Sequence, residues 1–541
     1  MNEQDQNLGI DDVLADHRMS RRDLLRGAVM GGMAVAGAPL LAACSSSSSS
    51  TVPSGSASTS GAPTPGGDLR VAILGGSSAD TLDAHAEVSQ PDSARVMTLY
   101  EGLVRLDPDA KLVNILAESM DPNADATVWT IRLHKGVQFH NGKTLKAEDV
   151  AFTFQRIANP KQPMSGATAL QPLDIANMKM LDDYTLQVPM KTPYSGFAEA
   201  ISAVYFFGIV PVGYDPKKPV GTGAFQYQSF TPGQQSVMTK FANYWQSGLP
   251  YLDSVTIIDS FAADTAAFDA LQGGQVDAFA YASLSLVKQV GQGGSIVPLV
   301  SKPGQWTPFT MRVDQAPFND VNVRQAFRLM VDRKQVIELS LSGYGEVGND
   351  VFSQWDPCYD TSLTREQDIA QAKSLLAKAG QSGLTVELVT SDVAAGVVQA
   401  AQVLAQQAKA AGVTVNVRQV PPGTYYGPQY LSWTFAQDYW AYSPFLSQVA
   451  QGSLLTSPFN ETHWNDPKYV SLYNQAQATT DDNKRCQIVG EMQKIDFETG
   501  GYIIAAYNQS VDLLASNVHG FVPAATGIAL GNFGFNQAWM S

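Results

Sequence analysis

This sequence is poor in the residues from which most catalytic and metal-binding sites are built. Its 541 residues include 3 cysteines and 6 histidines. It has no G-x-S-x-G nucleophile elbow, no H-E-x-x-H zinc motif and no G-x-x-x-x-G-K-S/T phosphate-binding loop. His134 and His140 flank a predicted strand and turn, where a structural role is favoured over metal binding. We therefore expect a protein that is not an enzyme, with no catalytic residue, no metal and no cofactor.

Basic side chains are scarce as well. The chain has 35 lysines and arginines against 50 aspartates and glutamates, and its formal net charge is -15. Nucleic-acid binding favours a basic protein surface, because phosphate groups are anionic. The composition therefore excludes nucleic acid as an expected partner. At 44% hydrophobic and 9% aromatic residues, it is nevertheless ordinary for a globular protein.

The N-terminus has an apolar run, Gly27–Ala43, that is too short and too rich in Gly and Ala for a membrane-spanning helix, which needs about 20 strongly apolar residues. It is interpreted as the core of a signal peptide covering residues 1–43. Arg21 and Arg22 lie in a segment that resembles the twin-arginine export motif. Removing residues 1–43, which hold six acidic and four basic side chains, changes the formal net charge from -15 to -13.

The signal peptide is followed by a predicted lipid anchor and a linker. Leu41–Cys44 resembles a bacterial lipobox, in which the cysteine is diacylated and becomes the new N-terminus. Two acyl chains are sufficient for lasting membrane attachment. The linker is predicted over residues 44–67; after Cys44 it contains Ser, Gly, Pro, Thr and Ala with a single Val and no charge, a composition typical of a flexible linker. We expect the body to be held at the extracytoplasmic face of the bacterial cell membrane, in the periplasmic or cell-wall space.

Two cysteines remain in the body of the protein, Cys358 and Cys486. In an oxidising compartment they can form a disulfide, and two buried unpaired thiols fit the sequence equally well. The sequence leaves both alternatives open.

The body has a mixed α and β pattern and is too long for one core, so two or three domains are expected. The alternating Leu69, Val71 and Ile73 predict an edge-like strand. A capping box at Thr364–Gln367 predicts the start of an amphipathic helix that ends at Gly380.

The next segments predict a strand, a helix and a strand. The strands are expected at Leu384–Thr390 and over Val413–Val417, and the helix at Val393–Ala411. This order requires parallel pairing with a right-handed crossover. The region 304–510 is thus predicted to be an α/β domain.

Several longer segments resemble one protein family. In chain order they are TLYEGLVRL (98–106), WTIRLHKGVQFHNGKTLKAEDVAFTFQRI (129–157), PVGTGAFQYQSF (219–230), ANYWQSGLPYLDSVTI (242–257), LQGGQVDAF (271–279), PFNDVNVRQAFRLMVDRKQVI (317–337) and AKSLLAKAG (372–380). They are similar to conserved blocks of the peptide/nickel class, family 5, of ABC-transporter solute-binding proteins. The resemblance extends from about residue 68 to the C-terminus.

This resemblance implies an α/β fold, a type II-like periplasmic-binding-protein clamp of two lobes with an extra inserted domain (cluster C). Lobe I would comprise 68–100, 205–303 and 511–541, with the extra domain at 101–204, and lobe II would comprise 304–510. The chain would cross between the lobes near 303 and near 510. Closure of the lobes around a solute is the hinge motion known for such proteins.

Some of the conserved blocks also have a purely structural interpretation. Gly221 and Gly223 suit a turn with unusual backbone angles. Asn141-Gly142 is a two-residue hairpin signal. A helix is predicted from Thr144 to Ile157, with acidic residues in its first turn.

The ligand site is predicted in LSWTFAQDYWAYSPFL (431–446), which partly resembles a W-x-x-D-Y-like segment of peptide-binding members. There an aspartate pairs with the α-ammonium group of the ligand, and the extended peptide backbone binds much like an added strand. Here the tryptophan stands five residues before the aspartate, and an exposed loop acid or an internal salt bridge is an equally good interpretation of that aspartate. The predicted ligand-binding residues are Asp438, Tyr439, Trp440, Trp433 and Tyr442.

The resulting hypothesis is a monomeric, membrane-tethered receptor that captures short peptides for the permease and ATPase subunits of an ABC importer. One alternative is the same scaffold binding an oligosaccharide, a metal complex or another solute, since aromatic side chains also stack on sugar rings. The third hypothesis is a secreted hydrolase or chaperone-like protein on this fold, although the sequence lacks a nucleophile motif.

Overall fold

The computed structural model describes residues 61–86, 89–203, 207–291 and 294–541. The predicted export signal with Arg21 and Arg22, the predicted lipid attachment at Cys44 and most of the linker lie outside the described residues. Among the helices of the described ranges, none is both long enough and apolar enough to cross a bilayer.

The strands cover short segments along the whole described chain. They are β1 (Asp68–Ala72), β2 (Val104–Leu106), β3 (Leu112–Asn114), β4 (Ala117–Pro122), β5 (Val128–Leu133), β6 (Lys179–Asp182), β7 (Thr185–Pro189), β8 (Phe225–Thr231), β9 (Gln235–Lys240), β10 (Ser254–Ile258), β11 (Ala278–Phe279), β12 (Ile296–Val300), β13 (Gln305–Trp306), β14 (Phe309–Met311), β15 (Gly345–Val347), β16 (Thr385–Thr390), β17 (Thr414–Gln419), β18 (Phe435–Gln437), β19 (Tyr502–Ile503), β20 (Ala506–Asn508), β21 (Val511–Ala515), β22 (Val518–His519) and β23 (Trp539–Met540).

The helices alternate with these strands. They are α1 (Gln90–Leu99), α2 (Ala147–Ile157), α3 (Phe197–Ser202), α4 (Asp264–Gln272), α5 (Leu284–Val287), α6 (Val321–Leu329), α7 (Arg333–Leu341), α8 (Ile369–Lys378), α9 (Val397–Ala408), α10 (Pro422–Tyr425), α11 (Phe445–Gly452), α12 (Pro467–Gln477), α13 (Asp482–Thr499) and α14 (Ala529–Phe533). Single 3-10 turns lie at Ala167–Leu170, Ile175–Asn177 and Lys409–Ala411.

A seven-stranded sheet with the order β12-β21-β11-β1-β10-β9-β8 organises the first lobe. Its centre is parallel, because β1 pairs in parallel with both β10 and β11. Fully buried Leu69 and Val71 of β1 belong to the same hydrophobic core as Val255 and Ile257 of β10. We use lobe I for the part of the protein that is built on this sheet.

A five-stranded sheet with the order β17-β16-β18-β14-β19 organises the second lobe, which we term lobe II. The predicted strand, helix and strand are observed as β16, α9 and β17, and the two strands pair in parallel as expected. Helix α9 packs its buried Ala400, Ala401 and Leu404 into the core of this sheet. A separate four-stranded sheet, β4-β5-β7-β6, has its own core between residues 103 and 209.

The strand at the start of the body occupies the centre of its sheet, so the prediction of an edge strand was wrong. The two neighbours of β1 come from segments 186 and 207 residues further along the chain, and no local pattern reveals them. Alternation of apolar and polar residues is typical of an edge, but Ala72 on the opposite face of β1 is also fully buried.

Two predicted details at chain turns were also wrong. Helix α8 is capped by Asp368, whose side chain accepts a hydrogen bond from the Gln371 amide at 2.8 Å, and not by Thr364. Gly221 and Gly223 do not need unusual backbone angles; they allow close contact with α1. A Cβ at Gly221 would lie 2.0 Å from the Leu99 carbonyl oxygen.

Other local predictions were confirmed, the first of them in part. A turn does lie at Asn141-Gly142, and Gly142 has a positive φ of 81°. Its loop has three residues, 140–142, and not the predicted two, because the Phe139 amide donates to the Lys143 carbonyl and the Gly142 amide to the Phe139 carbonyl, both at 2.8 Å. Helix α2 carries Glu148 and Asp149 in its first turn. His140 has a structural role, because its two ring nitrogens contact backbone atoms of Gly221 and Gly223.

The two cysteines of the body form a disulfide, with Cα atoms of Cys358 and Cys486 4.7 Å apart. The bond joins the loop before α8 to helix α13, a separation of 128 residues in sequence. A disulfide of this kind is typical of proteins that function outside the cytoplasm.

Candidate functional site

A cleft of about 2810 Å³ lies between the two lobes. It is larger than the roughly 300–1,000 Å³ typical of pockets for small ligands. Its walls come from lobe I, from lobe II, from the segments that join them and from the region of the four-stranded sheet, which contributes residues 162–169 and Tyr194.

The wall on lobe I is formed where three parallel strands end. Leu74–Ser77 follow β1, Asp259–Ala262 follow β10, and Ala280–Ala282 follow β11, and all three segments line the cleft. Parallel strands present their carboxyl ends at one edge of a sheet, and ligands of open α/β sheets bind at that edge. The sheet topology therefore places these loops together.

The wall on lobe II is built in the same way. Strand β16 pairs in parallel with β18. Val393–Ala395 follow β16, Tyr439 follows β18, and both line the cleft. The carboxyl edges of the two lobes thus face each other across one space.

The two segments that connect the lobes run side by side along the cleft. Strand β13 pairs with β20, and the Ser301 amide donates to the Ser510 carbonyl at 2.9 Å. Gln305, Asn508 and Gln509 of these segments line the cleft. Two paired crossings of this kind are the structural element around which lobes can close.

Asp438, the predicted partner of a ligand ammonium group, is completely buried at the end of β18. Its carboxylate accepts hydrogen bonds from the hydroxyl groups of Tyr426 at 2.7 Å and Tyr430 at 2.9 Å, and from the Tyr439 amide at 2.8 Å. Tyr430 and Tyr439 both line the cleft, so the carboxylate lies directly behind two cleft-facing tyrosines.

The other predicted ligand-binding residues lie at different depths. Tyr439 lines the cleft. Trp440 is buried and stacks on Trp306 with ring centroids 5.9 Å apart. Trp433 stacks on Tyr425, and the Arg418 guanidinium lies 5.2 Å from its ring centroid.

Tyr442 is buried in a small core with Leu106, Ala110 and Ala525. Neither it nor Trp433 nor Trp440 is among the described residues that line the cleft. Their direct contact with a ligand stays a prediction, while their packing gives each of them a structural role.

A buried cluster of charges lies directly behind the lobe I wall. Arg95 of α1 donates to Asp80 at 3.0 Å, to Asp92 at 2.9 Å and to Asp259, and all four side chains are buried. Burial raises the pKa of Asp92 to about 6 and that of Asp259 to about 6. Asp259 itself lines the cleft, and its Oδ1 atom is buried without a hydrogen-bond partner.

Sequence reasoning missed this cluster and most of the cleft-lining residues. The conserved-looking blocks 242–257 and 271–279 stop just before Asp259 and Ala280, the residues that reach the cleft. The residues just after each predicted strand could have been named as cleft-lining candidates. In a sheet of parallel strands, the residues that follow the strands lie together at the carboxyl edge, where ligands bind.

The fold and this cleft define a two-lobed clamp of the type II periplasmic-binding-protein class, which confirms the predicted fold class. Residues 111–459 match the family described as bacterial extracellular solute-binding proteins, family 5 Middle. The match covers more than half of the chain, and the protein belongs to this family. It is a solute-binding protein of an extracellular family.

Individual relatives agree with this assignment. The chain is 27% identical to the glutathione-binding protein GsiB of Pectobacterium atrosepticum over 478 residues, which cover 82% of this chain and 89% of the relative. It is similar in structure to DppA, an ABC transporter-associated periplasmic binding protein from Helicobacter pylori in complex with the peptide STSA. There the TM-score is 0.72 at 21% identity, covering 88% of this chain and 98% of that chain.

A second solved structure shows that the fold alone does not determine the ligand. The binding protein AgaA from A. tumefaciens R10, in complex with agropinic acid, has a TM-score of 0.72 at 22% identity. That comparison covers 88% of this chain and 99% of AgaA.

Proposed function

We propose that this protein captures short peptides in the cleft between its lobes and delivers them to the permease and ATPase subunits of an ABC importer. The observation that carries the proposal is the cleft itself, in which the carboxyl edges of two parallel-stranded sheets face each other across about 2810 Å³. Its size suits an extended ligand better than a single small metabolite. The names of the relatives support it, since glutathione is a small peptide and DppA is described with a bound peptide.

Native mass spectrometry of protein purified from its own export compartment tests the proposal. We expect a mixture of short peptides with free N-termini to be released on denaturation. Release of a sugar or a metal complex instead would overturn the peptide assignment and leave the solute-binding class in place.

Asp438 is proposed as the residue that recognises the amino end of the peptide. Its carboxylate lies behind Tyr430 and Tyr439 at the cleft, so contact with an ammonium group requires movement of a tyrosine side chain. Removing one partner of a buried charge pair costs about 2–5 kcal/mol of binding free energy. Titration calorimetry should show that loss for Asp438→Asn with a free peptide, and N-acetylation of the peptide should produce a similar loss with the wild type.

The matched control is Asp269→Asn, which changes an exposed carboxylate on α4 away from the cleft. If Asp438→Asn and Asp269→Asn bind free and acetylated peptides equally well, Asp438 does not recognise the amino end. Trp433, Trp440 and Tyr442 would then be interpreted only as packing residues of the three cores in which they lie.

The receptor is proposed to act as a monomer that is exported by the twin-arginine pathway and tethered through Cys44. A complete cleft within one chain supports the monomer, and the disulfide and the extracellular family support an extracytoplasmic location. Cys44→Ser should move the protein from the membrane fraction to the soluble fraction. Retention of this variant in membranes would contradict the lipid anchor.

A further inference from the structure

The cleft contains few charged side chains. Among the described residues that line it, the acidic and basic ones are Asp259, Asp264, Arg312 and His463. The remaining lining residues are small, amide-bearing, hydroxyl-bearing, aliphatic or aromatic, and none of them is a lysine. The balance of charge in the cleft therefore depends on very few groups.

The guanidinium group in this lining is already neutralised. Arg312 donates to both carboxylate oxygens of Asp314, at 2.7 and 2.6 Å, and to the Leu431 carbonyl at 3.2 Å. His463 lies against the same two residues, with its Nδ1 atom 3.4 Å from the Asp314 carboxylate and its Nε2 atom 2.8 Å from the Leu431 carbonyl oxygen. The Arg312 guanidinium is thus paired within the protein and does not face the cleft as a free cation.

The opposite wall has an excess of negative charge. Behind it, the single guanidinium of Arg95 is shared by the carboxylates of Asp80, Asp92 and Asp259. Asp259 reaches the wall, and one of its oxygens is buried without a hydrogen-bond partner. Asp264, in the first turn of α4, adds a second carboxylate to the lining.

Charges behind a wall of low dielectric constant act on a ligand in the cleft more strongly than they would through water. An added anion is repelled by the lobe I wall, and the one arginine among the described lining residues is already paired with Asp314. An added cation is attracted to the same wall.

We propose that the cleft selects peptides by charge, binding those with a cationic side chain most tightly, neutral peptides less tightly and acidic peptides least. This inference rests on the proposed capture of peptides and assigns the class of peptide. It also separates this protein from a glutathione receptor, because glutathione carries two carboxylates and one ammonium group and is a net anion.

Titration calorimetry with a matched set of tetrapeptides tests the charge preference. The full chain, freed of carried ligand, is titrated at low salt with Ala-Lys-Ala-Ala, Ala-Gln-Ala-Ala and Ala-Glu-Ala-Ala. Three analogues carry the same lysine, glutamine or glutamate at the third position. Reduced glutathione is titrated in the same way. We expect the lysine peptide at the better position to bind about tenfold more tightly than its glutamate analogue, with the glutamine peptide between them. The ratio should fall as salt is added.

Asp264→Asn provides the matched variant, because its side chain is part of the lining and is not part of the buried cluster. This variant should reduce the ratio of lysine to glutamate affinity about threefold, mainly by weakening the lysine peptide. Asp269→Asn on the same helix is the control and should leave the ratio unchanged.

The outcomes separate this inference from the proposed function. Equal affinities for the lysine, glutamine and glutamate peptides at both positions would overturn charge selection and leave peptide capture in place. Tighter binding of the glutamate peptide, or of glutathione than of the lysine peptide, would do the same. Binding of none of the peptides would overturn both. The order lysine, glutamine, glutamate, with a smaller ratio in Asp264→Asn, supports both.

Discussion

The two lobes bury charged clusters with opposite excess charge. In lobe I one arginine, Arg95, is surrounded by three aspartates. In lobe II one aspartate, Asp350, is surrounded by three arginines: it lies 2.7 Å from Arg333, 2.5 Å from Arg365 and 3.9 Å from Arg328. Each cluster is buried, so neither excess is screened by solvent.

The excess positive charge of lobe II is compensated by backbone carbonyl groups. Arg328 donates to the carbonyls of Asp496, Phe497 and Tyr502, and Arg365 also donates to Phe497. Residues 496 and 497 lie in the last turn of α13, the end of a helix that carries partial negative charge. Burial lowers the pKa of Arg328 to about 9, which still leaves it charged at neutral pH.

The excess negative charge of lobe I has weaker compensation. Asp80 accepts hydrogen bonds from the amide and hydroxyl groups of Ser77 and from the Ser89 hydroxyl, and Asp92 accepts one from the Thr81 amide. Ser77 and Ser89 also line the cleft. Lobe II therefore holds its excess charge on carbonyl groups in the core, in side chains that do not line the cleft, whereas lobe I brings Asp259 of its cluster to the cleft wall.

Arg95→Met is expected to have the largest effect. It keeps a side chain of similar length and removes the one positive charge among three buried carboxylates. Breaking a buried ion pair in this way costs about 3–5 kcal/mol of unfolding free energy. Urea unfolding at pH 7.5 should show the loss, and the loss should be smaller at pH 5, where the carboxylates can bind protons.

The control for this variant is Arg132→Met. Arg132 pairs with Asp121 at 3.0 Å on the surface, where both side chains are more than half exposed. Exposed pairs contribute about 1 kcal/mol or less. Equal losses for the two variants would show that the lobe I cluster is not held by its arginine.

Asp350→Asn should have a smaller effect, although it removes the one acidic side chain in contact with three arginines. The amide oxygen can still accept a hydrogen bond from Arg333 and from the Ile504 amide, now 3.0 Å from the carboxylate. The arginines also keep their carbonyl partners. We expect a loss of about 2–3 kcal/mol of unfolding free energy, the range for hydrogen bonds to charged groups, in the same urea measurement.

Asp269→Asn is the control, because it removes a carboxylate that is exposed on α4. It should change the free energy of unfolding by about 0.5 kcal/mol or less. A larger loss for Asp350→Asn than for Arg95→Met would reverse the comparison. It would mean that carbonyl groups do not compensate the lobe II arginines.

The predictions that succeeded depend on local sequence patterns. The parallel pair β16 and β17 follows from the strand, helix and strand order, and the turn at Asn141-Gly142 follows from the backbone preferences of two residues. The seven blocks of family resemblance predicted the fold class because they occur in the order of the family and are spread from residue 98 to residue 380.

The remaining features depend on pairings between distant parts of the chain. The central position of β1 and the disulfide join segments whose contact no local pattern encodes. The Arg95 cluster is a further case, since Asp259 is 164 residues from Arg95. In the sequence, Asp80, Asp92 and Asp259 share no pattern that would predict their contact with one arginine.

The pH dependence of lobe I stability is the smallest expected effect. It reports on the ionisation of one buried carboxylate, that of Asp92. Burial raises the pKa of Asp92 to about 6, from about 3.9 in an unfolded chain, so the folded state binds the extra proton between these values. The contribution of Asp92 to the free energy of unfolding must therefore fall as pH rises from about 4 to about 6. His85 and His140, whose pKa burial lowers to about 4, act in the opposite direction over the same range.

The difference between the profiles of the wild type and Asp92→Asn removes the histidine contribution, because both proteins contain it. The asparagine keeps an oxygen that can accept from Arg95 and from the Thr81 amide, and it cannot ionise. Its stability relative to the wild type should increase by about 2 kcal/mol or less between pH 4 and pH 7. Parallel profiles would mean that Arg95 and the cleft-wall serines already compensate all three carboxylates, and the negative field proposed to select cationic peptides would then lose its source.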